Sequence, residues 1–182
     1  MLLRSGSGRW IAAVLTGALC VTVAGCGADK VEGRAYDSAA RQLPLVVSES
    51  VACVTQAAPQ MLADPSTPSL QEVLGDCAGT TILNSEVDAP HPTDGVSARR
   101  GTVAVTGVLT GDELELTFYT EAGGIAEAGV SNARVTLATC WRIVVDDGPQ
   151  QPQDISSAPC DERLIAYFRP TELVPFEDLD LR

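Results

Sequence analysis

The chain has 182 residues, and its 24 acidic residues outnumber its 12 basic ones. A net charge of −12 repels the phosphates of nucleic acids and of anionic lipid headgroups, so we expect neither to be bound through surface charge. Aromatic residues make up only 4% of the chain, so its core must rest on Val, Leu, Ile and Ala.

The first 25 residues are typical of a secretory signal peptide. Arg4 and Arg9 precede a nearly continuous apolar run over Ile11–Val23, and small residues follow that run. The sequence VAGC, which ends at Cys26, resembles the lipobox of bacterial lipoproteins. This resemblance covers about the first 26 residues. It implies that the Cys26 thiol receives a diacylglyceryl group and that Cys26 becomes the first mature residue. One lysine against eleven arginines is typical of GC-rich genomes and fits an actinobacterial lipoprotein.

Two other interpretations of the leader stay open. Residues 10–28 form an uncharged run of 19, close to the roughly 20 residues of a transmembrane helix, but threonines and glycines dilute it. The second alternative is secretion without a lipid. We favour lipidation, because the motif, its position and the leader before it all agree. Two acyl chains on Cys26 would then suffice for stable membrane anchoring. The expected location is therefore the extracytoplasmic face of the cell membrane, with residues 26–32 as a lipidated tether.

Four cysteines remain once Cys20 leaves with the leader and Cys26 takes the lipid. An even number of cysteines in an exported chain predicts two disulfides. Of the three possible pairings we favour the two that each stay within one half of the chain, Cys53–Cys77 and Cys140–Cys160.

A long amphipathic helix is predicted at the start of the mature domain. Apolar residues recur there at spacings of three and four, on a stripe formed by Tyr36, Ala40, Leu43, Val47, Val51, Val54, Ala58 and Met61. Pro44 removes a backbone donor and predicts a kink or a break near Arg41–Leu43. A capping-box pattern from Ser69 to Glu72 then predicts a short second helix.

After a polar connector over residues 84–101, the spacing of apolar residues changes from the period of a helix to that of a strand. Alternating apolar residues predict a β-hairpin over 102–119 with a turn at 110–112, then a strand over 134–146. That strand places Trp141 on one face and Cys140 on the other. The Gly- and Ala-rich residues 121–132 and the polar residues 147–157 are predicted to be loops. Residues 160–169 begin like a helix, and a fourth strand is the alternative.

These elements predict an α+β protein, with a kinked N-terminal helix packed on a three- to four-stranded antiparallel sheet and two disulfides. The expected organisation is a signal peptide over 1–25, the tether over 26–32, a single domain over 33–170 and an acidic C-terminal tail over 171–182. The tail is expected to lie on the surface or to be disordered, and a partner-binding segment is the alternative.

No catalytic, cofactor-binding or metal-binding residue is predicted. The sequence lacks a nucleophile elbow, a Walker A motif and a calcium-loop pattern, and its single histidine, His91, lies between two prolines in the connector. We therefore expect a lipid-anchored envelope protein without enzymatic activity that binds an unidentified protein or small ligand. The alternative is an envelope hydrolase that uses paired carboxylates.

Overall fold

The computed structural model describes residues 12–76, 81–82, 102–110, 113–146 and 154–181. The predicted connector with His91, Cys77 of the expected Cys53–Cys77 pair, and most of the predicted 147–157 loop lie outside these residues. The described elements are α1 Ala12–Ala63, α2 Thr67–Asp76, β1 Thr81–Ile82, β2 Thr102–Thr110, β3 Leu114–Ala128, β4 Ser131–Val145, β5 Ile155–Ser157, α3 Glu162–Phe168, β6 Glu172–Leu173 and a 3₁₀ helix Phe176–Asp178.

The α+β class is confirmed, and the sheet is larger than expected. Among the described residues it has six strands, with β1 to β5 in sequence order and β6 paired with β4 beside β5. The long strands β2, β3 and β4 are antiparallel, as predicted. The two-residue strands β1 and β6 pair in parallel, which the expectation of a purely antiparallel sheet missed. Strands this short leave almost no alternating pattern in a sequence.

Helix α1 covers one face of the sheet, and only part of its predicted apolar stripe is correct. From Leu43 to Met61 the predicted residues are buried, except Val51, which is partly buried. Before Leu43 the buried positions are instead one residue earlier, at Ala35 and Ala39. Tyr36 is 37% exposed and lies beside Glu172, whose charge raises the pKa of the Tyr36 phenol.

The helix is continuous through Pro44, so of the kink or break expected near Arg41–Leu43 the break is wrong, and the kink stays a prediction. Proline in a helix interior costs about 3 kcal/mol. Leu43 and Val47, on either side of Pro44, are at most 1% exposed, and their burial against the sheet offsets that cost. The helix also includes residues 26–32, which were expected to be a polar tether, and Val31 within them is buried.

The Gly- and Ala-rich stretch predicted as a loop over 121–132 is part of a long hairpin instead. Strands β3 and β4 pair without interruption from Leu114 with Val145 to Ala128 with Ser131, and Gly129 and Val130 form the turn. Gly129 has a φ of 61°, the positive value that a two-residue hairpin turn requires. The small residues in β3 serve packing: a Cβ at Gly124 would overlap the carbonyl oxygen of Ala35 on α1.

The core beneath α1 is built around stacked aromatic rings. The Trp141 ring stacks on Phe118 at a centroid distance of 4.3 Å and on Phe176 at 6.0 Å. The Trp141 indole N–H donates to the Thr120 hydroxyl at 3.0 Å. The predicted faces of β4 are correct, since Trp141 and Cys140 face opposite sides and belong to different apolar clusters.

Helix α3 packs on the other face of the sheet, which we call the outer face. The helical prediction for residues 160–169 is confirmed and the strand alternative is wrong. Asp161 caps the helix, because its carboxylate accepts from the backbone N–H of Arg163 at 2.8 Å. Leu164 is buried against Tyr119 and Ala138 of the sheet.

The C-terminal segment, residues 171–181, was expected to lie on the surface or to be disordered; most of its residues are exposed, but it is bound to the sheet and buries Phe176. Thr171 N–H donates to the Thr136 carbonyl at 2.7 Å, and Val174 N–H donates to the Ala138 carbonyl at 2.8 Å. Phe176 is 9% exposed and belongs to the same core cluster as Trp141. The segment therefore crosses the edge of the sheet beside β4 and completes the core under α1.

Candidate functional site

Cys26, the predicted lipidation site, lies within the helical backbone of α1. Val31, five residues later, is only 2% exposed and already belongs to the packed domain. At 1.5 Å per residue these five residues span about 8 Å. The chain thus has no long flexible linker between the residue expected to carry the lipid and the folded core. Among the described residues, no helix is both long and apolar enough to cross a membrane.

The predicted disulfide cysteines are placed as follows. Cys140 and Cys160 form a disulfide, which joins β4 to the residue pair that precedes α3. Cys53 is also disulfide-bonded. Since Cys77 lies outside the described residues, its pairing with Cys53 stays a prediction, and one disulfide of the expected two is described in full.

A buried phenol and a carboxylate meet on the outer face. Tyr119 and Glu121 are two residues apart on β3, so both side chains point to the same side of the sheet. The Tyr119 hydroxyl donates to the Glu121 carboxylate at 2.8 Å. The Tyr119 ring is fully buried and stacks on Phe168 of α3, with centroids 5.2 Å apart.

Burial changes the acidity of both groups. Desolvation raises the pKa of the Glu121 carboxyl, and the hydrogen bond from Tyr119 opposes this rise. Desolvation and the neighbouring Glu121 charge raise the pKa of the Tyr119 phenol, so Tyr119 remains a hydrogen-bond donor at neutral pH. Among the described residues Glu121 is the one carboxylate with a raised pKa, which makes it the best candidate for a polar contact to a ligand.

A second polar group lies further along the outer face. Arg142 on β4 is 3.5 Å from the carboxylate of Glu115 on β3, and its Nε donates to the Ser156 hydroxyl of β5 at 2.9 Å. Both charged side chains are partly exposed, so this pair contributes at most about 1 kcal/mol to stability. Within the part of the chain that the structure describes, no three His, Cys, Asp or Glu residues are arranged to hold a metal ion.

Sequence reasoning missed the Tyr119–Glu121 pair. The alternation of side chains along a strand is enough to predict that these two residues share one face of β3. The burial of Tyr119 depends on α3, which follows about 40 residues later in the chain and whose docking position has no local signal.

Replacing Glu121 with glutamine should stabilise the protein at neutral pH. A carboxyl whose pKa is raised by folding contributes stability below its unfolded pKa, and that stability is lost as the pH rises through the folded pKa. The wild type should therefore lose stability as the pH rises above about 4.3, the ordinary pKa of a glutamate, and E121Q should not. Thermal melts at a series of pH values should show E121Q melting up to a few degrees higher at pH 7.

The matched control is Glu127→Gln, which changes an exposed carboxylate on the same strand and the same face. Its melting temperature should follow that of the wild type at every pH. Equal pH profiles for E121Q and the wild type would show that folding does not perturb Glu121.

Comparisons of this chain with protein-family models, with curated proteins and with solved structures give no match.

Proposed function

We propose that this protein is a lipid-anchored component of a bacterial cell envelope, held at the extracytoplasmic face of the membrane through Cys26, with a non-enzymatic binding or accessory role. The observation that carries the proposal is the VAGC sequence at the end of a basic and apolar leader. The position of Cys26, about one and a half helical turns before the buried Val31, supports it, since acylation there would hold the domain close to the bilayer.

The outer face of the sheet is the proposed binding surface. Helix α3 has only seven residues and covers the middle of this face. Beyond it, Ile125 is 58% exposed, and Tyr167 on α3 is 37% exposed. The partly buried Glu121 carboxylate lies between the covered part and Ile125 along β3. A face that combines exposed apolar side chains with one desolvated acceptor suits a protein or small-ligand partner.

The alternative function, a hydrolase with paired carboxylates, has less support. Such a mechanism needs a second carboxyl group within about 5 to 10 Å of the first, placed for acid and base roles. The hydrogen-bond partner of Glu121 is the phenol of Tyr119. Because Tyr119 is fully buried beneath α3, a substrate could approach the pair from the Glu121 side alone.

Cys26→Ser should abolish membrane anchoring of the mature protein. Serine has no thiol to accept a diacylglyceryl group, so the variant should be released into the medium or remain unprocessed. Cell fractionation and mass spectrometry of the N-terminal peptide would measure both outcomes. The expected loss from the membrane of the processed form is nearly complete, because removing the two acyl chains removes their contribution of about 0.8 kcal/mol per buried methylene.

Cys20→Ser is the matched control, since this cysteine should leave with the signal peptide and its loss should not alter anchoring. Membrane retention of a processed C26S protein, or a native N-terminal peptide without acyl chains, would contradict the proposal. Crosslinking in intact cells extends the test to the partner. Crosslinks between the wild-type protein and a partner in the envelope should be absent from cells that express C26S.

A further inference from the structure

The turn of the β3–β4 hairpin is the most exposed apolar point of the described chain. Val130 has a relative exposure of 105%, so its side chain has no cover from the domain. Ile125, on the same hairpin, is 58% exposed. We call residues 125–134 the hairpin tip.

The hairpin tip and Cys26 lie at the same end of the molecule. Helix α1 runs antiparallel to β3: Ala35 and Ala39 lie against Gly124, whereas Val54 and Met61 belong to the cluster that contains Leu114. A position further along β3 therefore corresponds to an earlier position on α1.

The rise per residue of each element places the turn about level with Cys26, the proposed lipidation site. From Gly124 to Ala128 the strand advances about 14 Å, at 3.4 Å per residue. The same distance back along α1 from Ala35 covers about nine residues, at 1.5 Å per residue, and ends at Cys26.

The packing between these two points agrees with this estimate. Val31, four residues before Ala35, is 2% exposed. Ala126 and Ala133, which face each other across the hairpin two residues beyond Gly124, pack against the cluster of Ala35, Ala39 and Leu43. Helix and hairpin thus remain in contact as both approach the level of Cys26.

The charge of the hairpin tip suits a lipid surface better than the rest of the protein does. The tip contains one acid, Glu127, and one base, Arg134, and is therefore neutral overall. Removal of the leader, which has two basic residues and no acid, would leave the mature chain with a net charge of −14. Contact through the neutral tip keeps that negative charge away from the headgroups.

We propose that the hairpin tip rests in the headgroup region of the bilayer, with Val130 in contact with lipid, as a second membrane contact beside the acyl chains on Cys26. This inference rests on the proposed anchoring of Cys26. One valine adds little to the anchoring strength of two acyl chains, and its effect is on orientation. Two contacts side by side fix the long axis of α1 upright on the membrane and direct the β2–β3 end of the sheet away from it.

Tryptophan reporters test this geometry in the full lipidated protein. Trp10 should leave with the leader, so the mature chain has Trp141 as its native tryptophan, and that residue is fully buried. Val130→Trp adds a reporter at the hairpin tip. Leu109→Trp, at a position that is 65% exposed at the opposite end of the sheet, is the matched control. Each purified protein is placed in phosphatidylcholine vesicles with and without brominated acyl chains.

The V130W protein should show a blue-shifted emission and several-fold stronger quenching by brominated lipid than the L109W protein, after subtraction of the wild-type signal. Equal quenching of the two variants, with both proteins floating with the vesicles, would overturn the inference and leave the anchoring intact. Failure to float, with an unmodified N-terminal peptide, would instead overturn the anchoring proposal and the inference that depends on it.

Discussion

Gly124→Ala should destabilise the protein by about 3 kcal/mol or more, although it adds a single methyl group. A Cβ at this position would overlap the Ala35 carbonyl oxygen and would lie 2.7 Å from the Ala39 amide nitrogen. Both atoms belong to the backbone of α1, so no side-chain rotation can relieve the clash. The helix would have to move away from β3, which would loosen the cluster of Ala35, Ala39 and Ala122.

The neighbouring glycine provides the control for this prediction. A Cβ at Gly123 would have its nearest neighbour, the Val135 carbonyl oxygen, at 4.0 Å. Gly123→Ala should therefore remain within about 1 kcal/mol of the wild type. Denaturant unfolding followed by Trp141 fluorescence would measure both variants. Equal stabilities of G123A and G124A would show that α1 does not approach β3 closely at Gly124.

Deletion of Thr171–Arg182 should cost at least about 4 kcal/mol, the range expected for truncation of a buried phenylalanine alone. The deletion removes Phe176 from its stack on Trp141, and it removes the hydrogen bonds of Thr171 and Val174 to β4. It would also expose one edge of β4 and the indole of Trp141. Differential scanning calorimetry should show a large fall in melting temperature, accompanied by a red shift of the Trp141 emission.

Two point variants separate the core contact from a general effect of shortening the chain. Phe176→Ala should reproduce most of the loss in stability. Glu177→Ala changes an exposed residue of the same 3₁₀ helix and should have little effect. If F176A melts at the temperature of E177A, Phe176 does not contribute to the core.

The sequence was most informative where one local pattern decides the structure. Alternation along β4 places Trp141 and Cys140 on opposite faces of the sheet, and the structure confirms this. The Pro-Cys-Asp-Glu sequence from Pro159 predicts the start of α3, because acids near a helix N-terminus satisfy free backbone donors. The apolar spacing also predicts the buried half of α1 from Leu43 onward.

Contacts between distant parts of the chain explain the elements that were predicted wrongly. The glycine and alanine residues of β3 resemble a loop until α1 is placed against them, and α1 lies about 90 residues earlier in the chain. Phe176 is one of several scattered apolar residues in an acidic segment, and its burial depends on its stack with Trp141, 35 residues earlier in the chain. The same close approach selects Ala35 over the larger Tyr36 for the buried side of α1.

The candidate site was predictable in part for the same reasons. A contiguous motif predicts lipidation of Cys26 without any knowledge of the fold, and this stays a prediction. The sequence could not predict that Cys26 lies level with Val130. That placement depends on how far α1 is shifted along the hairpin, which is set by packing between segments about 90 residues apart. The outer-face carboxylate Glu121 becomes distinctive only when α3 covers Tyr119 and removes water from that side of the pair.

The pairing of an early helix with a late hairpin also imposes a delay during synthesis. The apolar stripe of α1 is complete at Ala63, whereas β4, the last of the long strands on which it packs, ends at Val145. At roughly 5 to 20 residues per second, the ribosome needs on the order of ten seconds to make the intervening segment. Throughout that interval the apolar stripe of α1 has no sheet to pack against, which favours aggregation of the unfinished chain.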